Sequence, residues 1–110
     1  MSKRRESKEP TDAYEAIFTA LAHPARRRIL MTLNFEGGEM TAGAIADMFR
    51  HAWPTTSRHL GVLEAAGMVS HKREGRTRIY CIERRKLDLV RAWLDWFAKD
   101  PTGRKPTNED

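Results

Sequence analysis

The sequence predicts a mainly α-helical domain carrying one small β-hairpin, and three observations predict it. Apolar residues recur at helical spacing in five separate stretches, and two short runs, MVSHKR and TRIYCI, flank a glycine turn. The balance of 40% hydrophobic and 32% charged residues is that of a folded chain with many helices, not of a disordered one. At 110 residues the chain suits one domain with a modest core.

Residues 1–10 are charged and nearly devoid of apolar side chains, and 100–110 (DPTGRKPTNED) hold two prolines and a glycine. Both are expected to be flexible tails around a folded unit at 11–99. The basic run Lys3, Arg4, Arg5 leaves open a contact with a nucleic-acid backbone or an inert tail.

Thr11 is placed to cap a first helix, with Asp12 and Glu15 in its opening turns and Tyr14, Ile17, Phe18 and Leu21 along one face. Pro24 suits the first turn of a second helix, with His23 as a helix-start residue. Its Ile29, Leu30 and Leu33 face a core, and Arg26, Arg27 and Arg28 make a solvated basic patch. The glycine pair in NFEGGE ends it. Thr41 caps a short third helix, TAGAIADMF, whose Ile45, Met48 and Phe49 point inward. After a loop containing His51, Pro54 opens a fourth helix over 54–66, closed by Gly67 in a left-handed C-cap. Two short helices a few residues apart, the second with polar residues at its front, make a helix-turn-helix pattern.

MVSHKR and TRIYCI around EGR then predict a hairpin over 69–82. A two-residue loop at Glu74 and Gly75 pairs Val69 with Tyr80, His71 with Arg78 and Arg73 with Arg76. A slip changes which basic side chains align, so the register stays open. One face is apolar at the base and basic at the tip, the shape of a wing whose end touches phosphate. Residues 86–99 (KLDLVRAWLDWFAK) form a last helix whose Leu87, Leu89, Val90, Trp93, Leu94, Trp96 and Phe97 wrap beyond a single stripe. Such a helix either meets a second subunit or is enclosed by the first helix and the rest of its own chain.

Twenty Lys and Arg against fifteen Asp and Glu give a net charge of +5, and the excess is local. Residues 50–86 hold nine basic and three acidic side chains, whereas the remainder holds eleven and twelve. Seven of the nine are arginine, the residue suited to phosphate and base edges. With Leu60 as the centre of the buried face at about 100° per residue, Thr56, Leu63 and Gly67 lie near it, and Thr55, Arg58, Val62 and Ala65 lie opposite. His59 falls to the side. That outward face is small or hydrogen-bonding with one long arm at Arg58, which suits a major groove. Thr55, Thr56 and Ser57 stand where helix-terminal amides also favour phosphate. Gly61 costs about 1 kcal/mol against alanine in a helix interior, which close approach of another surface would explain.

Other chemistries are excluded in turn. Cys81 is the only cysteine, so no intrachain disulfide, CxxC pair or cysteine-rich zinc site can form. Histidines 23, 51, 59 and 71 share no helix face, and neither metal nor other cofactor is expected. Ser57 and His59 point about 160° apart on one helix and cannot act as a hydrolytic pair. NFEGGEM lacks the lysine of a phosphate-binding loop, so no enzyme is expected. No apolar run reaches the roughly 18 residues of a membrane span, and the N-terminus lacks the apolar core of a secretory signal. A cytoplasmic location and no membrane partner follow as expectations.

The segments ALAHPARRRILMTL, TAGAIADMF, TTSRHLGVLEAAGMV and REGRTRIY, taken in order, resemble the ArsR-type family of winged helix-turn-helix repressors over about residues 13–98. The combination SRHLxVLExAGxV plus REGRxxxY carries the specificity. The resemblance implies a homodimer joined through its first and last helices on a near-palindromic double-stranded DNA operator. Carried over by match, Thr55, Thr56, Ser57, Arg58 and His59 are groove residues and Arg73, Arg76 and Arg78 wing residues. The dimer contact falls on Tyr14, Phe18, Leu21, Leu89, Trp93, Trp96 and Phe97. Many members sense metals through a cysteine pair matching residues 42–49 or through Asp and His on the last helix; here the first stretch lacks cysteine and residues 86–99 lack histidine. The expected function is therefore sequence-specific repression by a dimer, not metal-responsive at those places, with its effector unknown. A non-specific architectural DNA coater and a winged-helix protein-interaction module are the alternatives.

Overall fold

The computed structural model describes residues 10–49 and 53–99. The expectations for both tails and for His51 lie outside these residues, apart from Pro10, which starts the first helix. The elements run α1 (Pro10–Leu21), α2 (Pro24–Phe35), β1 (Glu39–Thr41), α3 (Ala42–Met48), α4 (Trp53–Ala65), β2 (Val69–Glu74), β3 (Thr77–Ile82) and α5 (Arg84–Trp96). The mainly helical, winged class is as the sequence predicts. Helix α1 begins one residue before Thr11, because proline is at ease in a first turn where its missing N–H is no loss. Helices α4 and α5 start one and two residues earlier than the pattern suggested.

The helix ends are built from local chemistry. His23 caps α2, its Nδ1 accepting from the Ala25 amide at 3.1 Å. Thr41 caps α3, its hydroxyl accepting from the Ala44 amide. At the end of α4, Gly67 has φ +76°, the Met68 amide donates to the Leu63 carbonyl and the Gly67 amide to that of Glu64. This pair of bonds is the Schellman arrangement, and its left-handed residue favours glycine.

Strand β1 was not expected. Three residues between Gly38 and α3 carry no readable alternation, and only pairing with β3 makes them a strand: Glu39 with Cys81, Met40 with Tyr80, Thr41 with Ile79. The sheet order is β1-β3-β2. In the hairpin the loop is Gly75–Arg76, not Glu74–Gly75, so Glu74 pairs Thr77, Arg73 pairs Arg78, His71 pairs Tyr80 and Val69 pairs Ile82. Gly75 at φ +65° is the reason: the first position of such a tight loop takes positive φ, which glycine adopts freely and glutamate does not. The partner shift is two residues, so every side chain keeps its face.

The core joins Ile17 and Ala20 of α1, Ile29, Leu30 and Leu33 of α2, Ile45 of α3, Leu60 and Leu63 of α4, Met68, Val69 and Tyr80. Leu87, Leu89 and Val90 pack on it from α5, which has no fully buried residue of its own. Helix α5 is thus held by one edge. Among the described residues no helix is long and apolar enough to cross a membrane.

Candidate nucleic-acid interface

The orientation of α4 follows from which of its residues the core takes. Thr56, His59, Leu60 and Leu63 are buried. On a wheel of about 100° per residue their mean direction lies some 50° from Leu60, toward His59. Pro54, Arg58, Gly61 and Ala65 accordingly form the exposed face, with Thr55 and Ser57 half-exposed beside it. Two of the expected groove residues, Thr56 and His59, are corrected by their burial. Thr56 is 1% exposed and its hydroxyl has no hydrogen-bond partner. His59 is 8% exposed, with the Arg26 guanidinium donating to its Nδ1 at 3.2 Å and the His23 ring 4.3 Å away. Neither can reach a groove, because both side chains are spent inside the subunit. Val62, expected outward, is half-buried against the core.

Arg58 is exposed and, among the described residues, has no carboxylate partner. A Cβ added at Gly61 would meet nothing within 4 Å, so its own chain does not require glycine there. The face therefore offers one long cationic arm flanked by residues that leave room for a second surface.

The wing stands beside this helix. Arg73 and Arg76 are exposed and Arg78 half-exposed, and none pairs with a carboxylate among the described residues. Arg73 and Arg78 are direct partners in the ladder, an arrangement of like charges that destabilises a hairpin unless an anion lies against it. Arg78 donates to the Tyr80 hydroxyl at 3.2 Å. The Tyr80 ring lies 5.4 Å from that of His71, whose Nδ1 is 2.7 Å from Glu64 Oε2. Through the His71–Glu64 contact the hairpin is joined to α4. Sequence reasoning missed it, since Glu64 and His71 meet only once the hairpin folds back along the helix. The Arg26–Arg27–Arg28 triplet was also underread. Arg26 donates to the carbonyls of Ala20 and Thr19 and Arg27 to that of Leu21, so both close the end of α1, and Arg28 sits over the Phe49 ring. Cations are favoured at a helix C-terminus, a signal present in the spacing ALAHPARRR.

The aromatic strip lies on α1 and α5. Tyr14 stacks on Phe18, Phe18 meets Trp93 at 4.9 Å, and Trp93 meets Phe97 at 4.9 Å. Trp93, Trp96 and Phe97 are 40%, 69% and 65% exposed. Leu21 and Leu89 instead pack mainly onto their own core, so the expected contact residues divide between strip and interior. At about 150–250 Å² per aromatic side chain, the three exposed rings leave roughly 350 Å² in water. That is the size of the largest apolar patch on an ordinary monomer, and such patches are usually functional. Cys81 is half-buried opposite Ser70; burial first, then the Glu39 carboxylate, pushes its thiol pKa up. Among the described residues no three of His, Cys, Asp and Glu gather where a metal could sit.

Comparison with known proteins bears on the whole arrangement. Residues 21–71 match the family described as a helix-turn-helix domain. The chain is 37% identical over 78 residues to the transcriptional repressor SdpR of Bacillus subtilis, covering 71% of this chain and 84% of that one. Its fold superposes on the crystal structure of an ArsR family transcriptional regulator with a TM-score of 0.73 and 31% identity, over 84% of this chain and 98% of the other. A possible transcriptional regulator for arsenical resistance gives 0.65 and 35%, over 74% and 83%. These relatives are regulators, not enzymes.

Proposed function

This chain belongs to the ArsR-type family of winged helix-turn-helix, DNA-binding transcriptional regulators, and we propose that it is a homodimeric repressor that reads a near-palindromic operator. The observation that carries this reading is the conjunction of Arg58 on the open face of α4 with Arg73, Arg76 and Arg78 on a wing held to the same helix. Arg58 supplies base or phosphate contact from the groove, with Thr55 and Ser57 beside it, and the wing arginines supply salt-dependent affinity. Thr56 and His59 serve by fixing the helix in place.

The strip of Tyr14, Phe18, Trp93, Trp96 and Phe97 supports pairing of two subunits. Covering roughly 350 Å² of aromatic surface at about 25 cal/mol per Å² gives on the order of 9 kcal/mol per protomer before the costs of association. A two-fold dimer sets the half-sites about 34 Å apart or a multiple of that. Regulation at the two metal sites usual in the family forms no part of this reading, because residues 42–49 contain no cysteine and 86–99 no histidine.

The test is selection of bound duplexes from a random pool, followed by titration of the recovered and a scrambled sequence at one salt concentration. An inverted repeat bound at least a hundredfold tighter than the scrambled duplex is expected. Equal affinities would point to a non-specific coater, and no affinity to a protein-interaction module.

A further inference from the structure

A cavity of about 380 Å³ opens between α2, the start of α5, the end of α1 and the base of the wing, with no residue of α4 or of the wing tip in its wall, lined by Leu21, Arg27, Leu30, Met31, Asn34, Ile82, Arg84 and Leu87. Its volume falls in the range of small-molecule sites, and like them it combines an apolar wall with a few polar groups at the rim. Met31 at the mouth is 70% exposed. The polar groups are cationic and held in place. Arg84 donates to Asn34 Oδ1 at 2.6 Å, and Arg27 donates to the Leu21 carbonyl at 2.8 Å. Neither guanidinium has a carboxylate partner among the described residues, and no acidic side chain lines the cavity. Each arginine has five N–H donors and commits one, so both keep a free fork beside the apolar wall.

We propose that this cavity binds a small carboxylic acid with an apolar body, its carboxylate on Arg84 and Arg27 and its hydrocarbon against Leu21, Leu30, Ile82 and Leu87. A neutral apolar molecule would leave the two cations unmatched. A phosphate monoester would shed the hydration of a dianion to enter an apolar space, so the carboxylate is the better fit. The cavity joins α2, which packs on α4 and holds His59 through Arg26, to α5, which carries part of the aromatic strip, so a ligand here is placed to act as an effector. That consequence rests on the repressor reading; the binding itself does not.

The test is titration of the full chain with sodium octanoate and, separately, with 1-octanol, followed by ¹H–¹⁵N NMR without DNA. Saturable shifts at Leu30, Asn34, Arg84 and Leu87 are expected for octanoate, with 1-octanol at least tenfold weaker. Arg84→Gln and Arg27→Gln, each checked by thermal melting, should each weaken octanoate at least tenfold while leaving 1-octanol unchanged. Absence of saturable shifts, or equal binding of both probes by wild type and both variants, would overturn the proposal. Because DNA is not present, failure here leaves the operator test untouched, and failure of that test leaves this one standing.

Discussion

Replacing Arg58 with alanine isolates the long arm on the open face of α4. The side chain is exposed and has no partner among the described residues, so the fold should change in stability by no more than about 0.5 kcal/mol. Any loss then belongs to DNA. A base-edge contact is worth about 1–3 kcal/mol, and a two-fold dimer loses it twice, or about 2–6 kcal/mol if the half-sites are independent. At about 1.4 kcal/mol per factor of ten, operator affinity falls by roughly 30-fold to 20,000-fold. Fluorescence anisotropy on the selected operator and its scrambled counterpart, at three or more salt concentrations, separates the modes. If Arg58 reads a base, the operator loses most of this and the scrambled duplex little. If it touches phosphate, both weaken together and the slope of log affinity against log salt drops by about 1 per contact. Unchanged affinity on both sequences would refute the placement of α4 in a groove.

Three further outcomes follow. Thr56→Val removes a buried hydroxyl that has no partner at constant shape, so it should stabilise the fold by about 1 kcal/mol, raise Tm by about 4–8 °C and leave operator affinity alone; calorimetry and anisotropy check it. The double change Arg73→Ala and Arg76→Ala should weaken operator and scrambled duplexes alike and flatten the salt slope by about 2 per protomer. Phe97→Asp puts a charge in the aromatic strip at a position 65% exposed in the single chain, so sedimentation should show monomers that melt near the wild-type temperature. A dimer that survives this change would move the subunit contact elsewhere.

What the sequence disclosed and what it hid have physical reasons. The helices were legible because Ile17, Ile29, Leu33, Ile45 and Leu63 are strong periodic signals bounded by Pro24, Thr41 and Gly67. Hairpin faces were legible because a two-residue shift preserves them, while the register depended on a single glycine taking positive φ. Strand β1 was not legible, since it exists only through its partner β3. The site was half legible. Arg58, Arg73 and Arg76 are exposed and Arg78 half-exposed, but centring the wheel on Leu60 turned α4 by about 50° and left His59 to the side, whereas Thr56, which that wheel sets near the buried face, was a groove residue only through the family resemblance. Polar residues carry no burial signal in sequence. His59 is drawn inward by Arg26, which stands 33 positions earlier in the chain and meets it only after folding.

The placement of α4 and the wing on DNA is tested most directly by NMR mapping of the full chain as the selected operator is added. Docking through α4 and the wing gives saturable amide shifts at Thr55, Arg58, Gly61 and Ala65 together with Arg73 to Arg78, while Leu30 and Leu33 stay still. Shifts confined to the aromatic strip of α1 and α5, with α4 and the wing unmoved, would contradict it.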